Sequence, residues 1–162
     1  MVGEHCYFFT LEVTPMKVGD RYSAMPLHCT LMPKFFSNLS ADALSDQVNV
    51  VFHRTTPLRL RPTERAAFGP QRVMATLIKP TPAVLKLHAA LYLFLNQLGV
   101  RYTESDWVGP GYRPHVSDQS NSALPLNRTL PTRAVYLIEV EHPLNGKRRF
   151  IRSKISLTPR SK

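Results

Sequence analysis

The sequence predicts an α+β fold: a duplicated, pseudo-two-fold arrangement in which two antiparallel sheets form a central cleft and the helices lie outside. Three observations lead there. The order strand, strand, helix occurs twice before the chain ends in a hairpin; each of the two helix patterns opens on its own capping residue; and each half contains a strand that places a histidine two residues before a hydroxyl. With 162 residues, 43% hydrophobic and 20% charged, the chain has the composition of a folded protein and one domain's worth of length, so residues 1–162 are expected to form a single domain of two interleaved lobes.

The elements follow in order. Residues 5–13, HCYFFTLEV, are rich in aromatic and β-branched side chains, and residues 26–32, PLHCTLM, alternate, so both predict strands. Ser40 suits a helix N-cap, Leu39 and Leu44 stand at staple positions, and Leu44, Val48, Val51 and Phe52 form an apolar stripe that ends near Thr55, before Pro57. Residues 58–62, LRLRP, and 72–78, RVMATLI, predict a strand pair joined by a loop turning at Gly69 and Pro70. Thr81 caps a second helix, Pro82 fits its first turn, and Gly99 stands where a C-terminal glycine belongs. Residues 100–111 predict a loop, 112–119, YRPHVSDQ, a strand, and RAVYLIEVEH with KRRFIRSKISL a hairpin turning at Asn145-Gly146.

Charge points to the partner. The chain carries 21 lysines and arginines against 11 acids, a formal net charge of +10. Residues 147–162 contain Lys147, Arg148, Arg149, Arg152, Lys154, Arg160 and Lys162 with no acid among them. A concentrated positive field favours an anionic partner such as a nucleic acid or nucleotide. The two cysteines, Cys6 and Cys29, lack the density of a disulfide framework and the spacing of a zinc site, so no metal and no cofactor are expected, and a reducing compartment is. No leader pattern opens the chain, and the helix pattern over 83–98 is interrupted by Lys86, His88, Asn96 and Gln97, so a soluble, cytoplasmic protein without membrane association is expected. Gly-rich phosphate loops, a serine nucleophile elbow and paired carboxylates are missing, which leaves dinucleotide enzymes, P-loop NTPases and α/β-hydrolases unsupported.

Alternate side chains of a strand share a face, so His28 and Thr30 point one way while Leu27, Cys29 and Leu31 point the other. In the second half, Arg113, His115, Ser117 and Gln119 share a face opposite Pro114 and Val116. The same spacing at His53-Arg54-Thr55 falls on a helix tail, where residues two apart do not face each other. His88 is expected to pack within its helix, and His5 and His142 to end strands. Two imidazoles near neutrality are suited to phosphoryl chemistry, one taking a proton and one giving it, while neighbouring hydroxyls donate to the non-bridging phosphate oxygens.

His28-Cys29-Thr30 and His115-Val116-Ser117, one motif per half and each on a strand, resemble the paired His-x-Thr/Ser motifs of the 2H phosphoesterases, a family that includes 2'-5' RNA ligase-like proteins and cyclic nucleotide phosphodiesterases. The resemblance implies metal-independent cleavage of a 2',3'-cyclic phosphate or a 2'-5' linkage in the cleft between lobes, with His28 and His115 as acid and base and Thr30 and Ser117 gripping the phosphate. Its partners would be RNA ends, nucleotide 2',3'-cyclic phosphates or short oligonucleotides, and a monomer is expected. Asp118 and Gln119 depart from the apolar residue with which the family continues its second motif. Two other functions fit the sequence: degradation of cyclic or 2'-5' linked signalling oligonucleotides, and non-catalytic RNA binding by the basic surface. For substrate binding, Arg113 shares the face of His115, and Arg148, Phe150 and Arg152, expected on one face with Lys154, would hold phosphates and stack a base. Tyr112 and Phe8 are further stacking candidates.

Overall fold

A computed structural model describes residues 3–119, 121–142, 144 and 146–157. Asn145 of the expected hairpin turn, and Arg160 and Lys162 of the basic end, lie outside the described residues. The fold is α+β. Among the described residues, eleven strands, β1 (His5–Glu12), β2 (Arg21–Tyr22), β3 (His28–Ser37), β4 (Leu58–Leu60), β5 (Pro62–Phe68), β6 (Val73–Ile78), β7 (Arg101–Tyr102), β8 (His115–Ser117), β9 (Leu130–Thr132), β10 (Ala134–Glu141) and β11 (Arg148–Ser156), accompany two α-helices, α1 (Ala41–Phe52) and α2 (Pro82–Gln97), and two short 3-10 turns over Ser105–Trp107 and Gly109–Gly111. They make a six-stranded sheet in the order β2-β11-β10-β1-β3-β7, a three-stranded sheet β5-β6-β8 and a pair β4-β9, with every pairing antiparallel.

Both helices start where the sequence predicts. The Ser40 hydroxyl accepts from the Ala43 N–H, and Thr81 accepts from Val84 N–H with Pro82 behind it. Leu44, Val48 and Phe52 of α1 and Val84, Leu87, Leu91 and Leu95 of α2 are buried against one face of the large sheet, which contributes Tyr7, Phe9, Leu11, Leu31 and Phe35 to the same core. Cys6, Phe8, Met16, Met25, Tyr136, Ile138, Val140 and Ile151 form a second cluster on the opposite face. The helices thereby close one side of the large sheet, and Ile78 of β6 and Val116 of β8 join that same core. Among the described residues no helix is long and apolar enough to cross a membrane.

Pairing differs from expectation in the middle of the chain. The partner of β6 is β5, over 62–68, and the LRL segment of β4 pairs instead with β9, which the sequence did not reveal. Strand β8 is shorter than the predicted 112–119. Pro114 lacks an N–H for a ladder, and beyond Ser117 only the Asp118 N–H reaches β6, at Met74 O.

Two irregularities re-aim side chains. The β1–β3 register shifts between Tyr7 and Phe9 and again between Phe9 and Thr10, leaving Leu31 without a partner on β1. A shift between Leu137 and Ile138 in the β10–β11 pair carries Ile151 to the second cluster, while Ile155 and Leu157 stay in the main core. Arg148, Phe150, Arg152 and Lys154 therefore do not share one face as strict alternation predicts. Lys154 approaches Glu12 and Tyr136 on the cleft side, whereas Arg152 binds Glu139 on the helix side.

Candidate active site

A cleft of about 460 Å³ opens between the large sheet and the three-stranded sheet. His28 opens β3, His115 opens β8, and both line this cleft. Each ring is held in the same way. His28 Nδ1 lies 2.9 Å from the carbonyl of Pro26, and His115 Nδ1 lies 2.8 Å from the carbonyl of Arg113, in each case two residues back. A carbonyl only accepts, so each Nδ1 carries the proton and each neutral ring keeps the Nε2 lone pair unclaimed by that bond. Chain direction into the two strands thus fixes tautomer and orientation without a carboxylate.

Burial lowers both imidazoles below their usual value of 6.5. For His28 the Pro26 carbonyl opposes this, while the charges of Arg149 and His115 reinforce it; for His115 the Arg113 carbonyl opposes and the Arg113 charge reinforces. Burial thus favours the neutral form of each ring. Cys29, between His28 and Thr30, is fully buried and its thiol is pushed up to about 12 by that burial, which removes it as a nucleophile.

The remaining expected residues divide. Thr30, Arg113, Tyr112 and Phe8 line the cleft with the histidines, and the Phe8 ring is centred 6.3 Å from that of His28. Ser117 is half-buried on β8 between His115 and Gln119, which do line the cleft, although Ser117 itself is not among its walls. Tyr112 is chiefly structural: it is buried, its hydroxyl donates to Thr30 O at 2.9 Å, and its ring stacks on His88 at 3.9 Å between centroids. Arg148, Phe150 and Arg152 are not brought to the cleft. Phe150 has the guanidiniums of Arg21 and Arg152 over its ring, at 3.7 and 4.0 Å from its centre, and Arg152 donates to Glu139 at 2.7 Å.

Sequence reasoning missed Phe68, Trp107, Lys34 and Arg149, all of which line the cleft. Phe68 ends β5 and stacks on His115 at 3.7 Å, with Trp107 4.9 Å from it and the Arg113 guanidinium 5.3 Å from its ring centre. Its place was hidden because residues 62–68 gave no strand signal. Asp118, the departure from the expected motif, has a structural role: it forms a bidentate pair with Arg65 of β5 at 2.6 and 2.5 Å, fastening the end of β8 across β6.

His88 ties these elements together. Its Nδ1–H donates to Leu31 O at 2.7 Å, the carbonyl of the residue that the β3 irregularity leaves unpartnered, and its Nε2 accepts from Gly109 N–H at 2.9 Å. Among the described residues no group of three or more histidines, cysteines, aspartates or glutamates is placed to hold a metal ion.

The profile of the 2'-5' RNA ligase superfamily matches residues 12–142. The chain belongs to this superfamily. It is accordingly a phosphoesterase of the 2H type. Among solved structures, E. coli LigT complexed with NADP+ is 16% identical, with a TM-score of 0.64 over 95% of this chain and 98% of LigT. LigT complexed with 3'-AMP is 15% identical, with a TM-score of 0.64 over 96% and 99%. TT0787 of Thermus thermophilus is 16% identical, with a TM-score of 0.60 over 96% and 100%. At these identities the likeness is one of fold. No curated protein sequence matches the chain.

Proposed function

We propose that this superfamily member is a metal-independent phosphodiesterase that opens 2',3'-cyclic phosphates or cleaves 2'-5' linkages in nucleotides and RNA. The observation that carries the proposal is the matched pair of imidazoles, each held through Nδ1 by the carbonyl two residues back and both lining one cleft. In hydrolysis of a cyclic phosphate, one histidine takes a proton from water through Nε2 as the water oxygen bonds to phosphorus. The other, protonated, gives its Nε2 proton to the departing ribose oxygen as the P–O bond breaks. The proton count balances, and the pair is restored by exchange with solvent. Joining 2',3'-cyclic and 5'-hydroxyl ends would use the same groups with roles exchanged.

Thr30, in the cleft wall, donates to a non-bridging oxygen; Ser117, two residues after His115 and so on the same strand face, is assigned the second such bond once a phosphate sits between the histidines, and Arg113, beside His115, counters the phosphate charge. Phe8 and the Phe68–Trp107 pair supply aromatic walls for a base. LigT has been crystallised with 3'-AMP, NADP+ and ATP, which supports nucleotide-sized ligands for a cleft of this fold. We further infer a single domain of two interleaved lobes acting as a monomer in the cytoplasm, where buried free thiols such as Cys6 and Cys29 persist.

The test is hydrolysis of a 2',3'-cyclic mononucleotide in EDTA by wild type, His28→Ala and His115→Ala. Each variant is expected to lose on the order of 10²–10⁴ in kcat. Turnover unchanged in both variants refutes catalysis by the pair. If wild type turns over only cyclic dinucleotides or 2'-5' oligonucleotides, the substrate is a signalling oligonucleotide; binding of RNA without turnover of any of these refutes the catalytic role.

A further inference from the structure

One hydroxyl inside the large sheet has no use in the fold itself. Thr10 of β1 is fully buried, and among the described residues its Oγ1 is the one buried side-chain polar atom without a hydrogen-bond partner. Such a group has given up its hydration without a bond in return, a loss that valine, of nearly the same shape, would avoid. A hydroxyl kept at such a position points to a partner gained when the protein works.

Register shows which partner is in reach. Paired residues of an antiparallel ladder share a face, and Thr10 pairs with Tyr136 of β10 on one side and with Thr30 of β3 on the other. Tyr136 belongs to the second cluster, on the face away from the helices, so Thr10 points to that face as well. The two other polar side chains there are already engaged. The Tyr136 hydroxyl bonds Glu12 and accepts from the Met16 N–H at 2.9 Å, and Glu12 also meets Lys154 at 3.4 Å. Thr30 differs: it is half-buried, it lines the cleft, and Tyr112 holds its carbonyl rather than its hydroxyl. Directly opposed residues have Cβ atoms about 4.5–5.5 Å apart, so one χ1 step brings the two threonine hydroxyls within bonding distance.

We propose that Thr10 is a positioning residue: with a phosphate in the cleft its hydroxyl donates to Thr30 Oγ1 and so aims the Thr30 hydrogen at a non-bridging oxygen. A hydroxyl has one hydrogen and two lone pairs, so accepting from Thr10 leaves Thr30 its hydrogen for the ligand, and donors in series strengthen one another. The effect on turnover rests on the phosphodiesterase reading above; the effect on phosphate binding does not.

The test measures turnover of a 2',3'-cyclic mononucleotide, calorimetric affinity for 3'-AMP, and Tm. The proteins are wild type, Thr10→Val, Thr10→Ser, Thr30→Val and the double variant Thr10→Val/Thr30→Val. Thr10→Val is expected to lower kcat about tenfold and to weaken 3'-AMP severalfold, with Tm unchanged or raised, because an unbonded buried hydroxyl has been removed. Thr10→Ser should restore most of both. With Thr30 already valine, Thr10→Val should change neither, since it acts through Thr30. Full activity and affinity in Thr10→Val, or the same losses when Thr30 is already replaced, overturn the proposal. A Tm that falls with activity in Thr10→Val also overturns it, by showing an ordinary structural bond. If wild type binds 3'-AMP but turns nothing over, the phosphodiesterase reading fails, and the dependence of the Thr10 effect on Thr30 in 3'-AMP affinity upholds or overturns the proposal by itself.

Discussion

Replacing His88 by Phe tests how the cleft is held. The imidazole is 2% exposed, donates to Leu31 O and accepts from Gly109 N–H, and phenylalanine keeps the flat face that stacks on Tyr112 while removing both bonds. Each orphaned buried group costs about 1–3 kcal/mol, so the variant should lose roughly 2–5 kcal/mol. For a chain of this size that is roughly 5–15 °C in Tm. Acid should narrow the difference. Burial depresses the folded imidazole below 6.5, and a proton on Nε2 would set a donor against the Gly109 donor, so the unfolded chain binds the proton more readily. The His88 contribution is thus complete above about pH 6.5 and declines as pH falls through the window beneath it. Thermal unfolding of both proteins at pH 8 and pH 5.5 measures this. A difference under about 2 °C at pH 8, or one that widens in acid, would refute the account.

Two other perturbations address the cleft. Because both cleft histidines are depressed, kcat/KM should be maximal on the acid side of neutrality, and Phe68→Ala, which uncovers the ring of His115, should move the His115 limb of the profile toward alkaline pH; a profile that stays in place refutes the role of the stack. Gly111→Ala would put a methyl 1.9 Å from the backbone oxygen of Asp106, so the turns carrying Trp107 and Tyr112 must shift; about 1–3 kcal/mol of stability should be lost together with most activity, whereas an unchanged melting curve would show that the turn is not held as described.

Much of this was legible in the chain. Capping residues at Ser40 and Thr81 located both helices because they satisfy N–H groups that the helix itself leaves unpaired, a requirement local in sequence. His28 and His115 were found because alternation in a short strand needs no tertiary information. Alternation failed where it met a change of register. The shift in β11 sends Arg149 to the cleft and Phe150 away from it, and nothing in KRRFIRSKISL signals that extra residue. Residues 62–68, PTERAAF, are poor in strand formers and are held as a strand by pairing with β6, so Phe68 acquired its place beside His115 only through tertiary contacts. The partner of LRL is about 70 residues further on, beyond any local pattern.

That the two imidazoles are steered by main-chain carbonyls has a consequence for direction. In a triad whose histidine is buttressed by an acid, the negative charge commits that ring to receiving a proton. Here both supports are uncharged and alike, so neither ring is specialised by its anchor, and what distinguishes donor from recipient must come from the ligand and the neighbouring arginines. Under the proposed phosphodiesterase reading, a cleft furnished in this even-handed way lets either ring serve as acid or as base.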